Sequence, residues 1–221
     1  MEIIPAILPK DFGEIEEKTG LIKGLSDIIQ IDICDGNFVP SLSWPYKKID
    51  VNFDKIIKEE MGMPEWDSID YEFDLMIRNP NKHDMNKWII AGAKRIVLHI
   101  ESSDDLSEVI NVLNGLVDIG LAINVSTPVD KIEKYREKIS YIQVMGIRKI
   151  GFQGQSFDDS VINKIKEIKT KYPDMLLQID GGVNLHTAVD LEKTGVDRLV
   201  VGSALFESDN IVDTYHKFER I

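Results

Sequence analysis

The 221-residue chain predicts an α/β fold, specifically a closed parallel (β/α)8 TIM barrel, and three observations carry that expectation. About eight apolar runs of strand length are each followed by a segment of helical period. Glycines stand at the joints between these segments. No Pro/Ser-rich linker, charge block or low-complexity tract divides the chain, so residues 1–221 are expected to form a single domain. Strands alternating with helices imply right-handed parallel crossovers, and about eight such units in this length match a closed barrel; an open doubly wound sheet is the alternative.

Taken in order, strands are expected over Ile3–Leu8, Asp27–Ile33, Ser68–Met76, Arg95–Ile100, Leu121–Val125, Tyr141–Met145, Met175–Asp180 and Arg198–Gly202. The clearest helix is Asp104–Ile119, where Leu106, Val109, Ile110, Leu113 and Val117 recur at helical spacing to make one apolar face. Ser156–Tyr172 repeats the pattern with Val161, Ile162, Ile165 and Ile168. Gly92, Gly120 and Gly195 each follow a helical pattern and precede a strand, the place for a left-handed C-terminal cap residue.

A net charge of −12 repels phosphate backbones and anionic lipid surfaces, which disfavours nucleic acid and membranes as partners. It leaves a small anionic substrate open, because backbone amides can hold a phosphate locally. No apolar run approaches the roughly 20 residues of a membrane span. The start of the chain lacks the basic and long apolar regions of a secretory signal, and the lone Cys34 has no intrachain disulfide partner. These features point to the cytoplasm.

Side chains alternate across a strand, so in IQIDIC (29–34) Ile29, Ile31 and Ile33 face surrounding helices while Gln30 and Asp32 point to the barrel axis. Glu72, Asp74 and Met76 repeat this on the third strand, and Gln178 and Asp180 on the seventh. Ligands bind at the C-terminal strand ends of a parallel barrel, where Asp32, Asp74 and Asp180 all fall. One such acid is as readily a helix cap or a loop residue; three with the same inward parity make a mouth that takes up a proton or a cation. Two acids on opposite sides of a substrate can also exchange protons at one carbon.

The end of the chain is glycine-rich where strands stop. IDGGVN (179–184) and VGSALF (201–206) follow the last two strands, and GFQGQSF (151–157) follows the sixth. Glycine lets backbone N–H groups approach an anion closely, and the loops after strands seven and eight often hold phosphate in such barrels.

With these residues in place, the sequence resembles the ribulose-phosphate 3-epimerase family over nearly its whole length. The matching stretches are PAIL, IDICDGNFVPSL, EFDLMI, GFQGQSF, IDGGVN and VGSALF. The resemblance implies a barrel of the ribulose-phosphate-binding type. It also implies an isomerase that inverts the carbon beside a ketose-phosphate carbonyl through a metal-stabilised enediolate. Carried over by position, Asp32 and Asp180 are the acid–base pair, and Gln30, Asp32, Asp74 and Asp180 the metal ligands. Gly154, Gly181, Gly182, Gly202 and Ser203 would hold the phosphate, while Ala6, Met76 and Met145 line the substrate. Family members commonly assemble into dimers or hexamers, so a homo-oligomer is among the implied partners.

The departures fall in the site. Gln30 and Asp74 stand where the family pattern carries histidine, Ala6 replaces a serine, Cys34 a methionine and Gln153 a glycine. An oxygen-only shell suits Mg²⁺, Mn²⁺ or Ca²⁺ better than Zn²⁺ or iron. The alternative is no metal at all, with Asp74 as a hydrogen-bonding group. Arg148 and Lys149 are candidates to bring positive charge to the mouth. His99 and Glu101 are candidates to reach the pocket, the alternative being that His99 is a buried, satisfied histidine, and Cys34 is expected to be a packed, unreactive thiol.

Three functions are open to this chain: a ketose-phosphate epimerase, a phosphosugar-binding homologue without catalysis, and a phosphosugar decarboxylase. The first retains both acids and the phosphate loops. The last ranks low, because Asp32 is followed by Ile33, Cys34, Asp35 and Gly36 and not by the lysine of the decarboxylases' DxKxxD pattern.

Overall fold

The computed structural model describes residues 1–48 and 50–221. Eight parallel strands pair in sequence order and close on themselves: β1 (Glu2–Ile7), β2 (Ile28–Cys34), β3 (Asp70–Met76), β4 (Ala93–His99), β5 (Asp118–Ile123), β6 (Tyr141–Met145), β7 (Leu176–Asp180) and β8 (Arg198–Val201). Outside them lie α1 (Phe12–Ile22), α2 (Val51–Ile57), α3 (Asn86–Ile90), α4 (Ser107–Leu113), α5 (Val161–Lys171), α6 (Leu185–Glu192), α7 (Ser203–Phe206) and α8 (Ile211–Glu219). The closed barrel is the expected fold, not an open sheet. Among the described residues no helix is long and apolar enough to cross a membrane.

Local chemistry starts several helices. Asp11, Asp50 and Asn210 accept backbone N–H groups in the first turns of α1, α2 and α8. Asn184 and Thr187 cap α6 reciprocally. The main core lies between strands and helices, where Ile29, Ile31, Ile33, Phe73 and Leu75 are buried with residues such as Ile15, Trp88 and Val109. The expected parity therefore holds. The opposite faces of the strands bury Gln30, Glu72, Asp74, Gln143 and Gln178 inside the barrel.

That polar interior is satisfied largely by its own members, although Gln178 Oε1 is left without a partner among the described residues. Tyr141 Oη donates to Glu72 Oε2 at 2.7 Å, and Gln178 Nε2 donates to Glu72 Oε1 at 2.6 Å and to Gln143 Oε1 at 2.8 Å. Arg95 approaches Glu72 to 3.8 Å from the N-terminal end of the barrel.

Three expectations are corrected. The helix drawn over Asp104–Ile119 is confined to Ser107–Leu113, because Gly115 turns the chain at φ +81° and β5 already begins at Asp118. Gly120 is not a cap. It lies inside β5, and a Cβ there would stand 2.5 Å from the Tyr141 ring, so glycine makes room for that ring in the interior. Gly92 and Gly195 do adopt positive φ, as their places after helices require. The helix drawn over Ser156–Tyr172 starts only at Val161, since the Asp158 N–H is held by the Gly146 carbonyl at 2.8 Å and residues 156–160 remain a loop.

Candidate functional site

The three inward aspartates meet at the C-terminal mouth. Asp32 pairs with Asp74 in the β2–β3 register, and Asp180 ends β7. One carboxylate oxygen from each lies within 4.8 Å of the others. Amide groups knit them together. Gln30 Nε2 donates to Asp32 Oδ1 at 2.9 Å and to Asp180 Oδ2 at 3.0 Å, and Gln143 Nε2 donates to Asp74 Oδ2 at 3.0 Å. His99 Nε2 meets Asp74 Oδ1 at 2.8 Å with both side chains closed to solvent.

These amides do not neutralise the cluster. Burial, with the charges of Asp180 and Asp74, pushes the Asp32 carboxyl well above its ordinary range. Burial and the Asp74 charge push Asp180 up to about 7, against the lowering effect of the Gln30 hydrogen bond. Like charges brought together out of water are expected to retain protons or collect a cation.

A cavity of about 480 Å³ opens directly onto Asp32 and Asp180. Ala6, Met76 and Met145 form part of its apolar wall. Gly154, Gly181, Gly182, Gly202 and Ser203 line it from the loops after β6, β7 and β8. Gly182 is confined to glycine twice over. Its φ is +69°, and a Cβ would stand 2.7 Å from the backbone of Phe157, so the loop after β7 packs directly against the loop after β6. Gln30 and Asp74 lie beneath the cavity and are not part of its lining. Cys34 is buried, and burial with the nearby aspartates drives its thiol far above the usual range.

Among the described residues lining the cavity, the charged side chains are Asp32, Asp180 and Glu207, all acidic. Arg148 and Lys149 do not line it, and Arg148 is paired with Asp158. His99 is buried and does not line it either. Glu101 turns to the neighbouring strand end, accepting the Asn124 N–H at 2.9 Å. The sequence reading did not single out Gln143, whose inward parity with Tyr141 and Met145 was the available signal, nor Asn184, Glu207 and Ser208, for which periodicity gave none.

The donor set fits a hard divalent cation. Three carboxylates can converge on it, and an oxygen-rich shell is the preference of Mg²⁺, Mn²⁺ and Ca²⁺. Gln30 presents its amide nitrogen to the carboxylates, so to serve as a ligand it would turn its amide over and present Oε1.

The family model described as "Ribulose-phosphate 3 epimerase family" matches residues 2–206. Two curated relatives named ribulose-phosphate 3-epimerase are similar along almost their full lengths. That of Bacillus subtilis (strain 168) is 32% identical over 213 residues, covering 93% of this chain and 92% of the relative. That of Aquifex aeolicus (strain VF5) is 29% identical over 215 residues, covering 95% and 91%. Among solved structures, 3-hexulose-6-phosphate synthase from Salmonella typhimurium superposes with a TM-score of 0.72 at 15% identity, over 100% of this chain and 97% of that one. KGPDC from Streptococcus mutans, in complex with D-R5P, superposes with a TM-score of 0.70 at 11% identity, over 99% and 95%. At these identities the structural likeness concerns the fold.

Proposed function

The chain belongs to the ribulose-phosphate 3-epimerase family, and from that membership we propose that it is a cytoplasmic ketose-phosphate 3-epimerase, inverting the hydroxyl-bearing carbon beside the carbonyl of a small phosphorylated sugar. The observation that carries the reading is that Asp32 and Asp180 open on one cavity with their proton affinities raised above the ordinary carboxyl range, that of Asp180 to about 7. Near neutral pH such a pair can hold a proton on one member and leave the other ionised, which is what inversion at one carbon requires. One carboxylate removes the proton from its face, leaving an enediolate. The other delivers a proton to the opposite face, and the pair is left ready for the reverse reaction.

Asp74 stays beneath, held by His99 and Gln143, and adds to burial in raising the proton affinity of Asp180. A divalent cation held by Asp32, Asp74 and Asp180, with Gln30 as a fourth ligand through its carbonyl, would supply positive charge beside the oxygens that become negative. Mg²⁺, Mn²⁺ or Ca²⁺ suits that set better than Zn²⁺ or iron. The phosphate is placed on the backbone of Gly154, Gly181, Gly182 and Gly202 and on the Ser203 hydroxyl, without a cationic side chain among the described lining residues.

The test is NMR-detected deuterium wash-in: the protein is incubated in D₂O with ketopentose and ketohexose phosphates, with and without Mg²⁺, Mn²⁺ or Zn²⁺. Exchange beside the carbonyl, with formation of the epimer, is the expected result. A folded protein that binds a sugar phosphate but exchanges no proton with any metal would instead be a phosphosugar-binding homologue.

A further inference from the structure

We propose that Gln153 is a specificity-determining residue, the side chain with which this barrel reads the part of the sugar lying between the phosphate and the reacting carbon. The inference rests on the epimerase reading above and names the selectivity of the same site. Gln153 belongs to the loop after β6, yet its Nε2 donates to the carbonyl of Ala6 at the end of β1, at 3.4 Å. In the closed strand order, β7 and β8 stand between those two strands, so the side chain reaches past both strand ends to the wall at β1. It passes Gly202 on the way: a Cβ there would stand 3.1 Å from Gln153 Nε2 and 3.3 Å from the Ala6 carbonyl.

Two neighbouring landmarks frame the amide. Gly202 and Ser203 belong to the candidate phosphate loops, and Ala6 pairs with Gln30, two residues before Asp32 on β2. An amide at this corner stands where the candidate phosphate loop meets the strand end beside β2, which carries Asp32, and there it can meet the sugar carbons next to the phosphate. At the end of β1 the cavity wall is the Ala6 methyl, which offers a sugar hydroxyl no partner. The Gln153 amide can both donate and accept there. Its bond to Ala6 sits at the long edge of the hydrogen-bond range, so exchanging that acceptor for a hydroxyl costs little. A long amide on one loop, a glycine on the facing wall and an alanine beyond it form one complementary arrangement.

The experiment compares wild type with Gln153→Ala and the near-isosteric Gln153→Glu. It measures kcat and KM for a pentulose 5-phosphate and a hexulose 6-phosphate, and inorganic phosphate binding by calorimetry. The expected result is that Gln153→Ala changes the ratio of kcat/KM between the two sugars by about tenfold, chiefly through KM, the size of one lost hydrogen bond. Inorganic phosphate binding should stay within about twofold, because that amide is not asked to hold the phosphate. An unchanged sugar ratio in an active enzyme overturns the inference alone. So does a parallel loss of both sugars and inorganic phosphate, which would make Gln153 part of the phosphate grip. If wild type turns over neither sugar, the epimerase reading fails and takes the inference with it.

Discussion

His99 donates its Nε2–H to Asp74 Oδ1 at 2.8 Å, and both side chains are sealed from solvent behind the carboxylates that open on the cavity. Gln143 holds the other Asp74 oxygen, so this acid is fixed at both ends. Burial alone would lower the His99 pKa, but the charge of Asp74 and the bond to it raise the pKa above the ordinary histidine value. Removing one partner of such a pair strands the other. His99→Leu is therefore expected to cost about 3–5 kcal/mol in urea unfolding. Because folding raises the His99 pKa, its ionic contribution is fully present below the unfolded value and is lost as pH rises through the folded one. The deficit of the variant should shrink towards alkaline pH, and a deficit that grows instead would refute the pairing.

Asp32→Asn and Asp180→Asn should each abolish epimerisation while leaving the fold intact. Loss of one acid–base partner is typically worth about 10²–10⁴ in rate. Each variant keeps one carboxylate, so wash-in should survive from the epimer whose proton faces that group and vanish from the other. Normal turnover by either variant would remove that residue from the pair.

Asp180 also makes stability depend on pH. Its folded pKa, at about 7, lies above the ordinary carboxyl value of 3.8, so between those values the native state binds more protons than the unfolded chain. Its contribution is present below the lower value and declines as pH rises through the higher one. Asp180→Asn keeps an acceptor for Gln30 and removes the charge, so the variant should gain on wild type progressively from pH 4 to 7 in denaturant titrations. A constant difference across that range would mean that Asp180 ionises normally.

How much of this was legible in the sequence depends on the range of the interaction. In IQIDIC the alternation of side chains leaves Asp32 and Gln30 no other face, and the same two-residue period places Asp74 and Asp180 inside the barrel. Helical periodicity misleads where it runs on past a break: Val117 continues the pattern of α4, but Gly115 has already turned the chain. Contacts across the barrel leave no local trace. Glu72 finds Tyr141 at a separation of 69 residues and Gln178 at 106, so neither the polar floor nor the purpose of Gly120 can be read from flanking residues.

Gly120 offers a direct test of that floor. A methyl group there would stand 2.5 Å from the Tyr141 ring, whose hydroxyl is anchored on buried Glu72, so the ring cannot swing away without breaking a hydrogen bond to a buried acid. Gly120→Ala should destabilise the protein by about 1–3 kcal/mol, although alanine ordinarily favours an extended chain over glycine. Thermal and urea unfolding would measure it. A neutral or stabilising result would show that Gly120 merely follows the backbone and that the ring has space to spare.

Glu207 sits on the rim of a cavity whose other charged lining groups are Asp32 and Asp180, and it follows directly on α7, which begins at Ser203 of the candidate phosphate loop. A carboxylate so placed would oppose a phosphate dianion held on the proposed loop amides. Glu207→Gln removes that repulsion and preserves the shape. Affinity for inorganic phosphate should rise by roughly two- to fivefold at low ionic strength, the scale of an exposed charge interaction. The gain should fade as salt is added, since charges in water are screened over about 8 Å at physiological ionic strength. Calorimetric titration of both proteins at two salt concentrations reads both effects. A salt-independent change would assign Glu207 a direct hydrogen bond to the ligand, whereas weaker phosphate binding by the variant would mean that the carboxylate orders the loop and does not repel its guest.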